Sequence, residues 1–129
     1  MKTLKAVTLT IMTLLVLLAA GSAVTQAEQR FGERIDPKAP KVTLAQLIAK
    51  PDDYQGKTVV VDGTHGGACA DGEDFYFKDK FDIIEVVPPS PEIMQVKKGA
   101  RVRVYGVVKV RHRGSEAEVR IIAKGAELL

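Results

Sequence analysis

The chain has 129 residues, 46% of them apolar and 27% charged, with one cysteine and no tryptophan. Once an N-terminal leader is set aside, about 100 residues remain, enough for one small domain with a modest core but not for a large enclosed active site. The balance excludes a disordered or collagen-like chain, and a lone cysteine excludes an internal disulfide framework.

Residues 1–27 carry the three-part pattern of a cleaved secretory signal peptide. Lys2 and Lys5 supply a positive start, residues 6–20 are uncharged and mostly apolar, and small residues then offer cleavage after Ala23 or Ala27. The run is short of the ~20 residues that span a bilayer. The expected location is therefore periplasmic or secreted, with no transmembrane span after signal cleavage. Without the leader, 17 basic residues face 16 acidic ones, unevenly spread. Residues 28–96 have 8 basic and 13 acidic residues, and residues 97–124 have 9 basic and 2 acidic. That asymmetry predicts one basic face or edge.

Residues 28–41 are polar, contain Pro37 and Pro40, and read as a linker. Residues 42–54 read as a short helix, with Thr43 as N-cap, Leu44, Leu47 and Ile48 on one face, and Pro51 as terminator. From residue 57 the hydrophobic period changes to two. Residues 57–64 form a predicted first strand, 74–78 a short aromatic second and 81–87 a third, halted by Pro88, Pro89 and Pro91. Phe75 and Phe77 share the core face of the second strand, with Tyr76 opposite. A helical turn is expected at 92–96. Residues 101–113 are the clearest strand. Val102, Val104, Gly106, Val108, Val110 and His112 lie on one face, and Arg101, Arg103, Tyr105, Val107, Lys109, Arg111 and Arg113 on the other. Gly106 in mid-strand signals a bend or bulge. Gly114-Ser115 makes a hairpin turn into a fifth strand, 116–124, with Ala117, Val119, Ile121 and Ala123 inward.

Five strands, with a helical turn between the third and fourth and a glycine inside the fourth, match the OB-fold, an all-β five-stranded Greek-key barrel. Here a short N-terminal helix precedes it, and the domain occupies residues 42–129. The segments YQGKTVVVDG, KKGARVRVYGVVKV and EVRIIAKGAEL resemble those of small exported bacterial OB-fold domains. The resemblance implies the oligonucleotide/oligosaccharide-binding type of barrel, whose members bind nucleic acids, sugars or proteins, some handling haem or metals.

Three regions carry candidate chemistry. The loop 64–74 places His65 and Cys69 near each other, a soft donor pair suited to copper or zinc. Two donors fall short of the four that a structural zinc site needs. No cofactor is the primary expectation; copper, zinc or haem held through His65 and Cys69 is the alternative, and a redox-active Cys69 thiol is another. The basic fourth strand sets Arg101, Arg103, Lys109 and Arg111 around Tyr105, an arrangement that can hold an anionic polymer by charge and stack an aromatic group. Glu116 and Glu118 on the next strand are placed to neutralise part of it. Nucleic acid ranks last among its partners, being scarce outside the cell; an acidic protein, polysaccharide or lipid headgroup ranks higher. Tyr76 is a contact candidate on the second strand. Catalysis has little support: the serines beyond the leader, Ser90 and Ser115, lie in loops, and no nucleotide, zinc-protease or c-type haem motif occurs. The expected function is a non-enzymatic binding or accessory module, its partner an exported protein or an anionic ligand.

Overall fold

The computed structural model describes residues 29–129, so the signal peptide expected at 1–27 lies outside the described residues. The elements are β1 (Arg30–Gly32), α1 (Leu44–Ala49), α2 (Pro51–Tyr54), β2 (Thr58–Ala68), β3 (Phe75–Lys78), β4 (Ile83–Val87), a 3-10 helix (Pro91–Gln95), β5 (Arg101–Arg113) and β6 (Glu116–Leu128). The local sequence explains the helix. The Thr43 side chain accepts from the Gln46 N–H at 3.1 Å, and Gln46 accepts from the Thr43 N–H at 2.9 Å, a capping box. Pro51 breaks this helix and starts the short α2.

The strands close into a barrel. β2 pairs with β3 and β5, β3 with β4, β4 runs parallel to β6, and β6 pairs antiparallel with β5. Val59, Val61, Phe75, Phe77, Val86, Val102, Val104, Val108 and Ile121 fill the interior, joined by Leu44 and Leu47 of α1 and Ile93 of the 3-10 helix. Each such side chain contributes about 1.5–3 kcal/mol on burial. Phe75 and Phe77 point inward and Tyr76 outward, as the period of two predicts.

Three boundaries differ from the sequence reading. The stretch read as a linker is docked on the barrel. β1 pairs with β6, Phe31 packs against the core, and the Pro40 carbonyl accepts from the Val60 N–H at 2.9 Å. A polar composition concealed this, because the docking uses backbone groups and one aromatic ring. β2 continues to Ala68, so the first half of the expected loop is strand. Gly63 permits that continuation: a Cβ there would stand 2.6 Å from the Phe77 ring. Finally, the irregularity expected at Gly106 is present, but its extra residue is on the partner strand. Tyr105 faces Gly125 and Gly106 faces Ala123, leaving Lys124 as the bulge. The bulge shifts the alternation, so Ile121 before it and Ala126 after it both face the core. β6 thereby extends to Leu128. A side chain at Gly106 would collide with the Ile122 carbonyl.

Candidate ligand-binding face

Cys69 follows the last residue of β2, and a tight turn carries the chain to β3. The Cys69 N–H donates to the Asp74 carbonyl at 2.8 Å, and the Gly72 N–H donates to the Cys69 carbonyl at 2.9 Å, with Gly72 at φ +73. The Cys69 side chain is buried. Burial pushes its thiol up, Glu85 adds to that, and a hydrogen bond with the Tyr76 hydroxyl offsets it in part. Proximity to Cys69 in turn raises the Tyr76 phenol. A raised thiol stays protonated at neutral pH, the reverse of the activation a redox-active cysteine needs.

His65 lies on β2 with its side chain in the core. Its ring stacks on Phe75, centroids 4.5 Å apart and planes within 3°. Nδ1 accepts from the Gly67 N–H at 3.0 Å, which assigns the proton to Nε2. That nitrogen is buried with no hydrogen-bond partner among the described residues. Burial lowers the imidazole below its usual value. The expected pairing of His65 with Cys69 at one ion therefore meets a histidine committed to ring stacking and a backbone bond. Among the described residues, no group of three or more His, Cys, Asp or Glu side chains is arranged to hold a metal.

The basic strand is present, and its cations divide. Arg103 is locked: its Nε donates to Asp62 at 2.7 Å, with Lys41 at 2.7 Å from the same carboxylate and Glu127 at 3.7 Å from the guanidinium. Arg103 holds the Asp62 carboxyl down at about 2. Arg113 lies 3.5 Å from Glu118. Arg101, Lys109 and Arg111 have no ion-pair partner among the described residues. Tyr105 is half-buried, with the Lys124 ammonium 5.7 Å from its ring centre. His112, expected on the core face, is exposed. It bonds Asp52 of α2 at 2.8 Å, and Gln55 accepts from the Val110 N–H at 2.6 Å. These two bonds tie the β5–β6 hairpin to the helix beside it.

Tyr76 lies with residues the sequence did not assign to a binding site. A groove of about 320 Å³ is lined by Ile48, Tyr76, Ile83, Ile84, Glu85, Ala117, Glu118, Val119 and Arg120. It exists because β4 and β6 pair only through 85–87 and 120–122. Beyond that the two strands part, and α1 supplies the far wall. Ile48 is 40% exposed, Tyr76 36% and Ile83 57%, an apolar patch open to solvent. Beneath it, Arg120 bonds the buried Asp74 carboxylate and stands 3.8 Å from Glu85. This ion pair fastens the 69–74 turn to β6. Alternation in the third strand could have flagged Ile83 as outward. Ile48 shares the helix face of Leu44 and reads as core, and only the strand separation exposes it.

No family model and no curated protein matches the chain. Solved structures do. A putative aspartyl-tRNA synthetase from Leishmania major Friedlin superposes with a TM-score of 0.56 at 13% identity, over 85% of this chain and 25% of that one. Asparaginyl-tRNA synthetase from Pyrococcus horikoshii gives 0.54 at 19% identity, over 69% and 23%. The protein ygiW from E. coli gives 0.52 at 18% identity, over 76% and 99%. The chain thus spans about a quarter of the synthetases and nearly all of ygiW. At these identities the likeness concerns architecture, and with the strand pairing above it shows the fold: residues 29–129 build a closed five-stranded OB-fold barrel with few helices.

Proposed function

We propose that this chain is an exported, non-enzymatic binding module that receives its ligand on the outer face of β3 and β4. One observation carries the reading: Ile48, Tyr76 and Ile83 stand exposed around a groove on that face. OB-folds place ligands on the face of their second and third barrel strands, between the loop after the first strand and the loop joining the last two. Here those loops are the 69–74 turn and the β5–β6 hairpin. The Asp74–Arg120 bond and the ties to α2 hold both in place, so the face is preformed. Export rests on the residue pattern at 1–27. Among the described residues, no helix is long and apolar enough to cross a membrane.

The test is an NMR screen of the labelled protein against short peptides, oligosaccharides and single-stranded oligonucleotides. The reading expects amide shifts centred on Tyr76, Ile83, Glu85 and Arg120, abolished by Ile83→Asp. Binding that leaves those amides unmoved overturns it.

A second reading, an anionic ligand held by Arg101, Lys109 and Arg111, is favoured by the lack of ion-pair partners for these three. It predicts affinity that falls steeply with added salt, and loss of binding in Arg111→Glu without shifts at Ile83.

A further inference from the structure

β6 has one edge paired with β5 from Glu116 to Leu128. Its other edge pairs with β1 at 125–127 and with β4 at 120–122. Among the described residues, no strand pairs with that edge at 116–119. The register identifies the backbone groups left over. The Val108 N–H donates to the Lys57 carbonyl and the Val110 N–H to Gln55, so these residues turn their polar groups away from β6. In an antiparallel pair, opposed residues either bond each other or both turn away. Val119 faces Val110, and Ala117 faces His112 two residues along. The N–H groups of Ala117 and Val119 and the carbonyl of Ala117 therefore turn towards the groove, with no strand to bond them. An open edge of this kind is a template for strand addition.

The side chains decide what the strand must be. Ala117 and Val119 line the groove with Ile48 and Ile84, an apolar floor. Glu116 and Glu118 alternate with them on the outer side, and Glu85 stands across the groove. Arg113, 3.5 Å from Glu118, and Arg120, 3.8 Å from Glu85, offset part of this charge, while Glu116 has no ion-pair partner among the described residues and the Glu118 side chain stays 50% exposed. A second copy is a poor occupant. Antiparallel self-pairing centred on Ala117 sets Glu116 against Glu118, and centred on Glu118 it sets that residue against its own copy. Like charges directly opposed destabilise a pair of strands.

We propose that the open edge of β6 at residues 116–119 binds an extended peptide in which apolar side chains alternate with lysine or arginine, adding a strand beside the groove. The apolar residues enter the groove and the cations lie against Glu116 and the exposed side of Glu118. This inference rests on the groove being the ligand site and adds the class of ligand and its backbone mode of attachment.

The experiment uses a short acetylated peptide of strictly alternating valine and lysine, with a version N-methylated on its edge-facing amides as control. Hydrogen exchange is followed at individual amides of the labelled protein. The expected result is exchange at Ala117 and Val119 slowed roughly tenfold or more at saturation, absent with the methylated peptide and weakened in Glu118→Lys. That substitution lies on an exposed hairpin and leaves the core untouched. Shifts at Tyr76 and Ile83 without protection at Ala117 and Val119 overturn strand addition while leaving the binding face standing. No response to the peptide, with an oligosaccharide or oligonucleotide still shifting Tyr76 and Ile83, overturns the peptide class alone. Silence of that face to every probe overturns both.

Discussion

The two ends of β6 belong to one continuous strand and live in different surroundings. Residues 120–128 have β5 on one edge and β4 or β1 on most of the other, with Ile121 and Ala126 sealed in the core. Among the described residues, 116–119 pair with β5 alone, and Glu116, Ala117 and Glu118 are exposed. The enclosed end derives its stability from apolar burial, and the open end is held by its ladder with β5, the burial of Val119, two polar ties to α2 and one surface ion pair. The lesson is that a strand can close a barrel with one half and offer an unpaired edge with the other.

That contrast can be broken in order of expected effect. On the enclosed side, Phe77→Ala removes a fully buried ring that Gly63 was kept small to admit. It is expected to cost about 3–5 kcal/mol, read as a lower urea midpoint, a large share of the 5–15 kcal/mol typical of small domains. At the junction, Asp74→Ala leaves the Arg120 guanidinium with only the longer contact to Glu85 and should cost about 1–3 kcal/mol. Adding Arg120→Leu should recover part of that loss, since the second change removes the half-buried, under-partnered charge.

His65 sharpens the comparison through pH. Burial lowers its folded-state pKa, so between that value and the unfolded one, near 6.5, only the unfolded chain binds the proton. Its contribution to stability is complete above about 6.5. It declines by about 1.4 kcal/mol per pH unit below that, until the folded-state value is reached. Urea titrations at pH 7.5 and 5.5 should show the drop, and His65→Phe, which keeps a ring against Phe75, should flatten it. At the open end, His112→Ala breaks only the exposed bond to Asp52. It should change stability by less than about 0.5 kcal/mol while speeding amide exchange in the hairpin tip. A large loss of stability there would mean that the hairpin belongs to the cooperative core.

Much of the barrel was legible. The switch to period two at residue 57, the prolines after Val87 and the glycine pair of turn and bulge signals determine five strands and their order. The exposed groove was legible only through Tyr76. The loop 64–74 looked like a site because His65 and Cys69 are close in sequence. Strand continuation through Ala68 separates their roles: His65 goes inward against Phe75, Cys69 sits under Tyr76, and Asp74 anchors Arg120. Proximity along the chain gives no information about which face a residue takes until the register is known.

The sequence by itself determined the alternation, the helix cap, the turns and the basic character of β5, because each depends on neighbours a few residues apart. The tertiary structure decided which cations are locked, that Ile48 and Ile83 flank an open groove, and that β6 keeps an unpaired edge at 116–119. These depend on where β4 stops pairing with β6 and on the one-residue bulge at Lys124. Both are set by packing between strands far apart in the chain, and no local pattern encodes them.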